Sequence, residues 1–328
     1  MQLGNLSRYP LATLPTPLDE APRLSKELGI RVLVKRDDLT GFALGGNKVR
    51  KLEFFLGDAL NQGAEILVTG GGPQSNHART TAAAARRAGL EALLVLVGAP
   101  PQEINGNLLL DKLLAAEIRF VQLPSQDFDA NDRAIAQAAQ ELQAQGRKPY
   151  AIPVGGSVPL GCVAYLLAAG ELLDQLKAAN VKADYVFVTN GSAGTQAGIL
   201  AGMKYYGATI PVYGISVSRA SAPCAERVSK LVQETAEFIG VPLALAPGDV
   251  IVNDQFIGPG YGIVTPEARN AICLVAQTEG IFLDPVYTGK TMAGLIALAR
   301  QGDIPHGATV VFWHTGGQPG MFGYAGEF

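Results

Sequence analysis

One lysine of this sequence lies where an amine could act as a nucleophile. Lys48 follows Gly45-Gly46-Asn47 at the start of a helix-like pattern, and we expect Asn47 to be the N-cap. At about 100° per residue, Lys48 falls on the apolar face of that helix. That face is formed by Leu52, Phe55, Leu56 and Ala59. A desolvated lysine loses its proton readily and becomes the amine that Schiff-base chemistry needs.

The alternative for Lys48 is a stem that packs on the apolar face while its ammonium reaches water. The same helical wheel places Arg50 on the opposite side, where a solvated charge is expected, and Lys51 on the flank. The wheel by itself leaves both interpretations of Lys48 open.

A glycine-rich turn indicates an anion site. Asn190-Gly191-Ser192-Ala193-Gly194-Thr195 joins a predicted strand, 185–189, to a predicted apolar helix, 196–205. Backbone N–H groups that converge at a helix N-terminus favour a phosphate. The turn matches neither the Walker A nor the dinucleotide pattern, which favours a single phosphate on a small cofactor. The alternative is an ordinary turn that uses glycine for tightness.

A second strand–turn–helix junction offers polar groups for a carboxylate. It contains Gly70-Gly71-Gly72-Pro73-Gln74 followed by Ser75, Asn76 and His77. Ser75 is a good N-cap, and the N–H groups beyond it would suit an anion. His77 could be a base, but a histidine in the first helical turn is more often structural, so we rank it below its two neighbours. Capping alone is the alternative for this junction.

Two tyrosines in turns could deliver protons. Tyr287 belongs to Asp284-Pro285-Val286-Tyr287-Thr288-Gly289-Lys290, and Tyr261 lies among glycines in Gly258-Pro259-Gly260-Tyr261-Gly262. Buried tyrosines with hydrogen-bonded hydroxyls are the alternative. Thr315 follows a predicted strand at 309–313 and precedes two glycines. Ligands of open α/β sheets bind at such carboxyl ends of strands.

Strands and helices alternate along the chain, which predicts an α/β protein with mainly parallel sheets and helices on both faces. The predicted strands are 30–35, 65–69, 91–97, 118–123, 150–154, 185–189, 212–216 and 309–313. The predicted helices are 49–60, 75–88, 107–115, 132–145, 163–179, 196–205, 224–238 and 267–279. The segments 100–105 and 153–161 are candidate domain boundaries.

Composition excludes several classes of protein. The chain has 328 residues, of which 48% are hydrophobic and 17% are charged, with a net charge of −3. It is too apolar for a disordered chain and lacks the basic face that nucleic acids require. We expect no membrane span and no signal peptide. The three histidines show no metal spacing, so we expect no metal. The three cysteines are far apart, which favours a reducing cytoplasm.

Four motifs in order resemble one family of enzymes. They begin at Gly45, Gln74, Gly191 and Asp284, and they read Gly-Gly-Asn-Lys-Val-Arg-Lys-Leu-Glu, Gln-Ser-Asn-His, Gly-Ser-Ala-Gly-Thr and Asp-Pro-Val-Tyr-Thr-Gly-Lys. The chain is similar from residue 15 to residue 319 to the pyridoxal-phosphate (PLP) enzymes of the 1-aminocyclopropane-1-carboxylate (ACC) deaminase/D-cysteine desulfhydrase family. Four ordered motifs are far more specific than one, and they favour the nucleophile interpretation of Lys48.

The resemblance implies fold type II, with two open, twisted, mainly parallel sheets flanked by helices. It further implies a large PLP-binding domain from residues 1–51 and 161–328, and a small inserted α/β domain from residues 52–160. We expect a cytoplasmic homodimer that acts on a small amino acid.

The resemblance also implies a role for each candidate residue. Lys48 holds PLP covalently and moves a proton at Cα, while Tyr287, assisted by Tyr261, acts at the reacting centre. Ser75 completes the implied catalytic residues. Substrate contacts then come from Ser75, Asn76, His77, Tyr261, Tyr287 and Thr288. The implied PLP contacts are Lys48, Asn76 at the phenolic oxygen, the phosphate loop Gly191, Ser192, Ala193, Gly194 and Thr195, and Thr315 at the pyridine nitrogen.

Two positions bear on the substrate. ACC deaminases resemble Asp-Pro-Val-Tyr-Glu-Gly at the fourth motif and carry a leucine before the late Gly-Gly, where this chain has Thr288 and Thr315. The threonine pattern is similar to that of D-cysteine desulfhydrases. The resemblance therefore implies β-elimination from D-cysteine, giving pyruvate, ammonia and sulfide. L-cysteate sulfo-lyase is the first alternative and ACC deaminase the second. A catalytically silent metabolite-binding protein of the same fold is the non-enzyme alternative.

Overall fold

Two separate sheets organise the chain in the computed structural model, which describes residues 3–123 and 127–328. The strands are β1 Leu18–Glu20, β2 Arg31–Arg36, β3 Ile66–Gly71, β4 Glu91–Val97, β5 Glu117–Val121, β6 Pro149–Ala151, β7 Tyr185–Asn190, β8 Val212–Ser216, β9 Ile251–Asn253 and β10 Thr309–His314. The helices are α1 Pro22–Leu28, α2 Asn47–Asn61, α3 Asn76–Arg87, α4 Gly106–Leu113, α5 Phe128–Ala144, α6 Pro159–Ala178, α7 Gly194–Tyr205, α8 Ser221–Ile239, α9 Pro266–Glu279, α10 Thr288–Gln301 and α11 Gln318–Met321.

The larger sheet has six strands in the order β1-β2-β10-β7-β8-β9. Every pair of neighbours is parallel except β1 and β2. Helices α6, α7 and α8 cover one face, and α1, α9 and α10 cover the other. Because both faces are buried, the central strand β10 is apolar without alternation over Val310-Val311-Phe312-Trp313.

The smaller sheet has four parallel strands in the order β5-β4-β3-β6. Side chains of one strand alternate between its two faces. Ile66 and Val68 of β3 therefore pack with helix α5, whereas Leu67 packs with helices α2, α3 and α4. The predicted fold class, α/β with two mainly parallel sheets flanked by helices, is confirmed. The division at residues 52 and 160 stays a prediction.

Helix α2 connects the two sheets. Its residues Leu52, Phe55 and Leu56 belong to the core of the smaller sheet, and Phe54 belongs to a core of the larger sheet. The helix is consequently buried on nearly every side, and the prediction that Arg50 is solvated is wrong. Arg50 is 3% exposed, and its guanidinium pairs with the carboxylates of Asp37 and Glu171, both at 2.8 Å from Nη2.

Most predicted elements are present with shifted ends, and a few elements were missed. The sequence prediction omitted the short strands β1 and β9 and the helices α1, α10 and α11. Of these, α10 matters most, because residues predicted as a turn, from Thr288 onward, form its first turn. Within the two described ranges, no helix combines the length and the apolar character needed to cross a bilayer.

Candidate active site

A cavity of about 520 Å³ lies where the carboxyl ends of β3, β7 and β10 converge. This is the edge at which parallel sheets bind ligands. Eleven of the predicted site residues line it: Lys48, Ser75, Asn76, His77, Gly191, Ser192, Ala193, Thr195, Tyr261, Tyr287 and Thr315. Two predicted residues, Gly194 and Thr288, do not line it. The structure thus brings residues from all four motifs and from the late Thr315 to one space.

Lys48 is the second residue of α2 and is half-buried, because its side chain faces the cavity. Burial, followed by the positive charges of Lys51 and Arg79, lowers the pKa of Lys48 well below its ordinary value. An amine in this setting gives up its proton easily and is a competent nucleophile and base. The hydrogen bond from Lys48 Nζ to Asn47 Oδ1, 3.2 Å, directs the amine.

Asn47 differs from its predicted role as an N-cap. Gly46 occupies the cap position, and no side chain caps that end of α2. The Asn47 side chain instead donates to Thr195 Oγ1 at 3.1 Å, which ties the lysine-bearing turn to the glycine-rich loop. Its backbone N–H donates to the carbonyl of Thr315 at 2.9 Å. Asn47 therefore joins Lys48 to two other walls of the cavity.

The glycine-rich loop forms a backbone cradle at the start of α7. Ala193, the N-cap, has φ of +71°, in the left-handed region that L-residues rarely adopt. Ser192 Oγ accepts a hydrogen bond from Ser157 Oγ at 2.7 Å, and Gly194 N donates to Ser157 Oγ at 3.3 Å. A strained residue held by specific contacts at a helix N-terminus is typical of ligand-binding loops.

Lys51 was missed as a site residue because the wheel placed it on the flank of α2. It is fully buried, and its Nζ donates to the carbonyl of Gly155 at 3.0 Å. A Cβ added to Gly194 would lie 2.9 Å from this Nζ, so the ammonium adjoins the cradle. Burial lowers the pKa of Lys51 to about 8. A cation beside converging N–H groups fits a phosphate group. The position of Lys51, one helical turn after Lys48, is the sequence feature that could have identified it as a site residue.

The Gly194→Ala variant tests the cradle. The new Cβ would meet Ser157 Cα at 2.9 Å and Ser157 Oγ at 2.6 Å, and the backbone atom cannot move aside cheaply. We expect about a tenfold to hundredfold loss of PLP affinity, since such overpacking costs about 1–3 kcal/mol. The measurement is an absorbance titration of the apoprotein with PLP. Gly326→Ala, with no atom within 4 Å of the new Cβ, is the control, and equal affinities in both variants would contradict the assignment.

Helix α3 presents its N-terminus to the cavity, as predicted. Ser75 Oγ accepts a hydrogen bond from Ala78 N at 3.1 Å, which confirms Ser75 as the N-cap. Asn76 Oδ1 accepts from Asn107 Nδ2 at 2.9 Å, which fixes the amide. Burial, and then the positive charges of Lys48 and Lys51, lower the pKa of His77 well below its ordinary value. His77 is therefore a neutral imidazole near pH 7.

The two predicted tyrosines meet in one wall of the cavity. The hydroxyls of Tyr261 and Tyr287 share a hydrogen bond, and their rings pack edge to face with centroids 5.9 Å apart. Burial, and then the neighbouring Tyr261, raise the pKa of Tyr287 well above its ordinary value. Burial also raises the pKa of Tyr261, although its bond with Tyr287 opposes this. The pair therefore stays protonated near neutral pH and can donate a proton.

Thr288 lies behind this wall. It is fully buried, and its hydroxyl donates to Asp284 Oδ1 at 2.7 Å. Asp284 also accepts the backbone N–H groups of Val286, Tyr287 and Thr288 at 2.9–3.0 Å. The carboxylate thereby satisfies the otherwise unpaired donors at the N-terminus of α10 and fixes the backbone of Tyr287. Asp284 is a second residue that sequence reasoning passed over, although it begins the fourth motif.

Comparisons with known proteins agree with this geometry. Residues 10–316 match the family model described as "Pyridoxal-phosphate dependent enzyme". The chain is 41% identical to a D-cysteine desulfhydrase from Klebsiella pneumoniae over 99% of both chains. It is 43% identical, over 98% of this chain and 96% of the other, to a Pyrococcus abyssi protein with the provisional name 1-aminocyclopropane-1-carboxylate deaminase. A crystal structure of an ACC deaminase homologue superposes with a TM-score of 0.91, at 41% identity over 99% of this chain and 96% of the other.

The chain belongs to the pyridoxal-phosphate-dependent enzymes of fold type II, within the group that includes ACC deaminases and D-cysteine desulfhydrases. The predicted family, fold and cofactor are confirmed. The structure fits this cofactor, because an amine with a lowered pKa and a phosphate cradle share one cavity.

Proposed function

We propose that the protein is a carbon–sulfur lyase that converts D-cysteine and water to pyruvate, ammonia and hydrogen sulfide. The observation that carries the proposal is the cavity itself, in which the Lys48 amine and the Tyr261–Tyr287 hydroxyl pair line one space. β-Elimination needs a base for the proton at Cα and an acid near the leaving group. The intact amine and cradle argue against a silent metabolite-binding protein.

In this proposal, Lys48 holds PLP, the loop from Gly191 to Thr195 and the ammonium of Lys51 hold its phosphate, and Asn76 and Thr315 contact its ring. When bound, PLP supplies an electron sink for the electrons left at Cα. The chain supplies the proton transfers and the orientation of the substrate. The Lys48 amine removes the Cα proton, because burial lowers its pKa well below the ordinary value and so favours the neutral form that acts as a base.

The substrate carboxylate is assigned to the N-terminus of α3. The Ser75 hydroxyl accepts from Ala78 N and keeps its own proton for a ligand, while the helix dipole favours a negative charge there. His77 is neutral, so the attraction for the carboxylate comes from the helix N-terminus and not from this imidazole. The C–S bond breaks with its electron pair on sulfur, and the tyrosine pair protonates that sulfur. The proton that Lys48 took from Cα replaces the one that the tyrosine pair gave to sulfur. The released aminoacrylate adds water and loses ammonia, which balances the reaction.

The assay that tests the proposal measures pyruvate release by the PLP-loaded protein from D-cysteine, L-cysteine and L-cysteate side by side. We expect fast release from D-cysteine alone. If the protein prefers L-cysteate and releases sulfite with pyruvate, the proposed substrate changes to L-cysteate and the proposed roles of the residues stay the same. The absence of pyruvate from all three substrates would overturn the β-elimination of cysteine-like compounds.

Threonine at position 288 supports D-cysteine over ACC, the second alternative. We expect the wild-type protein to form 2-oxobutyrate from ACC at under about 1% of its pyruvate rate, and Thr288→Glu to raise that rate by about tenfold, less than an acid or base in contact with the substrate provides. Thr288 is fully buried and does not line the cavity, so the effect would reach the substrate through Asp284 and Tyr287. Thr288→Gln has the same shape without the charge and is the control. Efficient deamination of ACC by the wild type would contradict this use of Thr288.

The assembly and the domains are also proposals. We propose a homodimer in the cytoplasm, with a large domain of residues 1–51 and 161–328 and an inserted domain of residues 52–160. The two separate sheets support the division, since each has its own apolar cores. Analytical ultracentrifugation at micromolar concentration would detect the dimer, and a monomer under those conditions would contradict it.

A further inference from the structure

Lys290 is a buried cation of the fourth motif to which the proposed reaction gives no role. Its side chain is fully buried, and its Nζ donates to two backbone carbonyls, those of Ile257 at 2.7 Å and Gly260 at 3.0 Å. Among the residues that the structure describes, it forms no ion pair within 4.0 Å. Lys35, which is equally buried, instead pairs with a carboxylate, that of Glu171, at 2.5 Å.

The two carbonyls belong to the loop that carries Tyr261. This loop runs from residue 254 to residue 264, between β9 and α9, with no helix or strand of its own. Its internal backbone hydrogen bonds are long, at 3.4 Å from Ile257 N to Asp254 O and from Ile263 N to Gly260 O. The Lys290 contacts are therefore shorter than the backbone bonds within the loop, and one of them is to the residue directly before Tyr261. The loop's other short ties, from Ser221 N to Asp254 Oδ2 at 2.6 Å and from Gln255 N to Asn253 Oδ1 at 2.9 Å, lie at its start.

Lys290 also lies on the helix that begins beside the other tyrosine. Tyr287 is the N-cap of α10, and Lys290 is in the first turn of that helix. One rigid element thus holds Tyr287 directly and holds the Tyr261 loop through an ammonium. An ammonium without a close counter-ion costs free energy when it is buried, so an apolar residue would fill this space more cheaply. The Lys290 ammonium, unlike an apolar side chain, holds the carbonyls of Ile257 and Gly260 in fixed positions.

We propose that Lys290 is a positioning residue that fixes the Tyr261 loop to α10 and so keeps the Tyr261 hydroxyl against that of Tyr287. The inference rests on the proposed function for the role of the tyrosine pair in proton transfer. The contact between Lys290 and the loop is independent of which substrate reacts. Through the Gly260 carbonyl, we expect its effect on the reaction to pass by way of Tyr261.

The test uses Lys290→Met in the full-length, PLP-loaded protein. Hydrogen exchange of the amides in residues 254–264 reports the loop directly, and we expect it to become at least about tenfold faster. Lys35→Met, in which another buried lysine is replaced far along the chain from the loop, is the control and should leave that exchange unchanged. Should Lys290→Met fail to fold, Lys290→Gln keeps an N–H donor without charge, and we expect an intermediate exchange rate. Unchanged exchange would overturn the proposal.

A double-mutant cycle separates positioning from a general loss of stability. We expect Lys290→Met to lower kcat for pyruvate release by about tenfold with a smaller change in KM, and to cause no further loss when Tyr261 is already Phe. Losses that multiply would overturn the inference. If the wild type releases no pyruvate, the proposed function fails, whereas the exchange experiment still decides whether Lys290 fixes the loop.

Discussion

Replacing Lys48 with alanine is expected to lower pyruvate release by at least about 10³-fold, since it removes both the covalent anchor of PLP and the base at Cα. The variant should also lose the yellow absorbance of the PLP-loaded protein, because no other lysine amine lines the cavity in the described residues. The measurements are the absorbance spectrum after dialysis and the rate of pyruvate formation.

The control for Lys48→Ala is Lys230→Ala, because Lys230 is exposed and pairs only loosely with Glu234, at 3.9 Å. It should keep both colour and rate. A Lys48→Ala protein that is coloured and active would refute the assignment of the nucleophile. The unfolding transition of the Lys48→Ala protein should stay close to that of the wild-type apoprotein, because removing a half-buried amine with a lowered pKa removes little charge stabilisation.

Arg50→Ala is expected to produce the largest loss of stability, about 3–5 kcal/mol, because it leaves the buried Asp37 carboxylate without its ion-pair partner. Asp37 is fully buried and accepts from Arg50 at 2.8 Å, from Tyr165 at 2.5 Å and from the indole of Trp313 at 2.8 Å. Such a loss is a large share of the stability of an ordinary protein. The free energy of unfolding in urea measures it.

Arg119→Ala is the matched control for Arg50→Ala. Arg119 forms two ion pairs of similar length, 2.8 and 2.9 Å, with Glu117 and Glu141, but all three side chains are substantially exposed. Exposed pairs contribute about 0–1 kcal/mol. Equal losses of stability in the two arginine variants would contradict the assigned role of burial.

The Asp37–Arg50 pair also sets a pH dependence. Burial by itself would raise the pKa of Asp37, but the charge and hydrogen bonds of Arg50 outweigh it and hold the pKa below its ordinary value. A carboxyl group whose pKa is lower in the folded state stabilises the fold above its unfolded pKa. That stabilisation is lost as the pH falls through the folded pKa. The Arg50→Ala protein should therefore show a weaker loss of stability on acidification than the wild type.

The helical wheel of α2 shows which side-chain positions hydrophobic periodicity can predict and which it cannot. It correctly placed Leu52, Phe55 and Leu56 in a core and Lys48 on the same side. It failed for Arg50, because a wheel assumes one apolar face, whereas α2 lies between two sheets and is buried nearly all round. The carboxylates that accept Arg50 come from distant parts of the chain, and local spacing carries no information about them.

The position of the site was largely predictable, because parallel strands of one sheet end at the same edge. That rule applies to Gly191 and Thr315, which follow β7 and β10 of the larger sheet, whereas Ser75 follows β3 of the smaller sheet and was assigned to the same site only by the family resemblance. Helix α10 was not predictable in the same way. Its N-terminus is satisfied by the side chain of Asp284, four residues before the first helical residue, and Asp284-Pro285 by itself is typical of a turn.

The two sheets differ in when they can be completed during synthesis. Strands β3 to β6 are contiguous in the chain, so the smaller sheet can form while later residues are still being added. The larger sheet places β10 between β2 and β7, and Asn47 N bonds the Thr315 carbonyl. Pairing between such distant segments is slow, since their separation costs entropy. Capture of the cofactor must therefore wait until nearly the whole polypeptide has left the ribosome, so a nascent chain halted before residue 309 would have no complete pocket to fill.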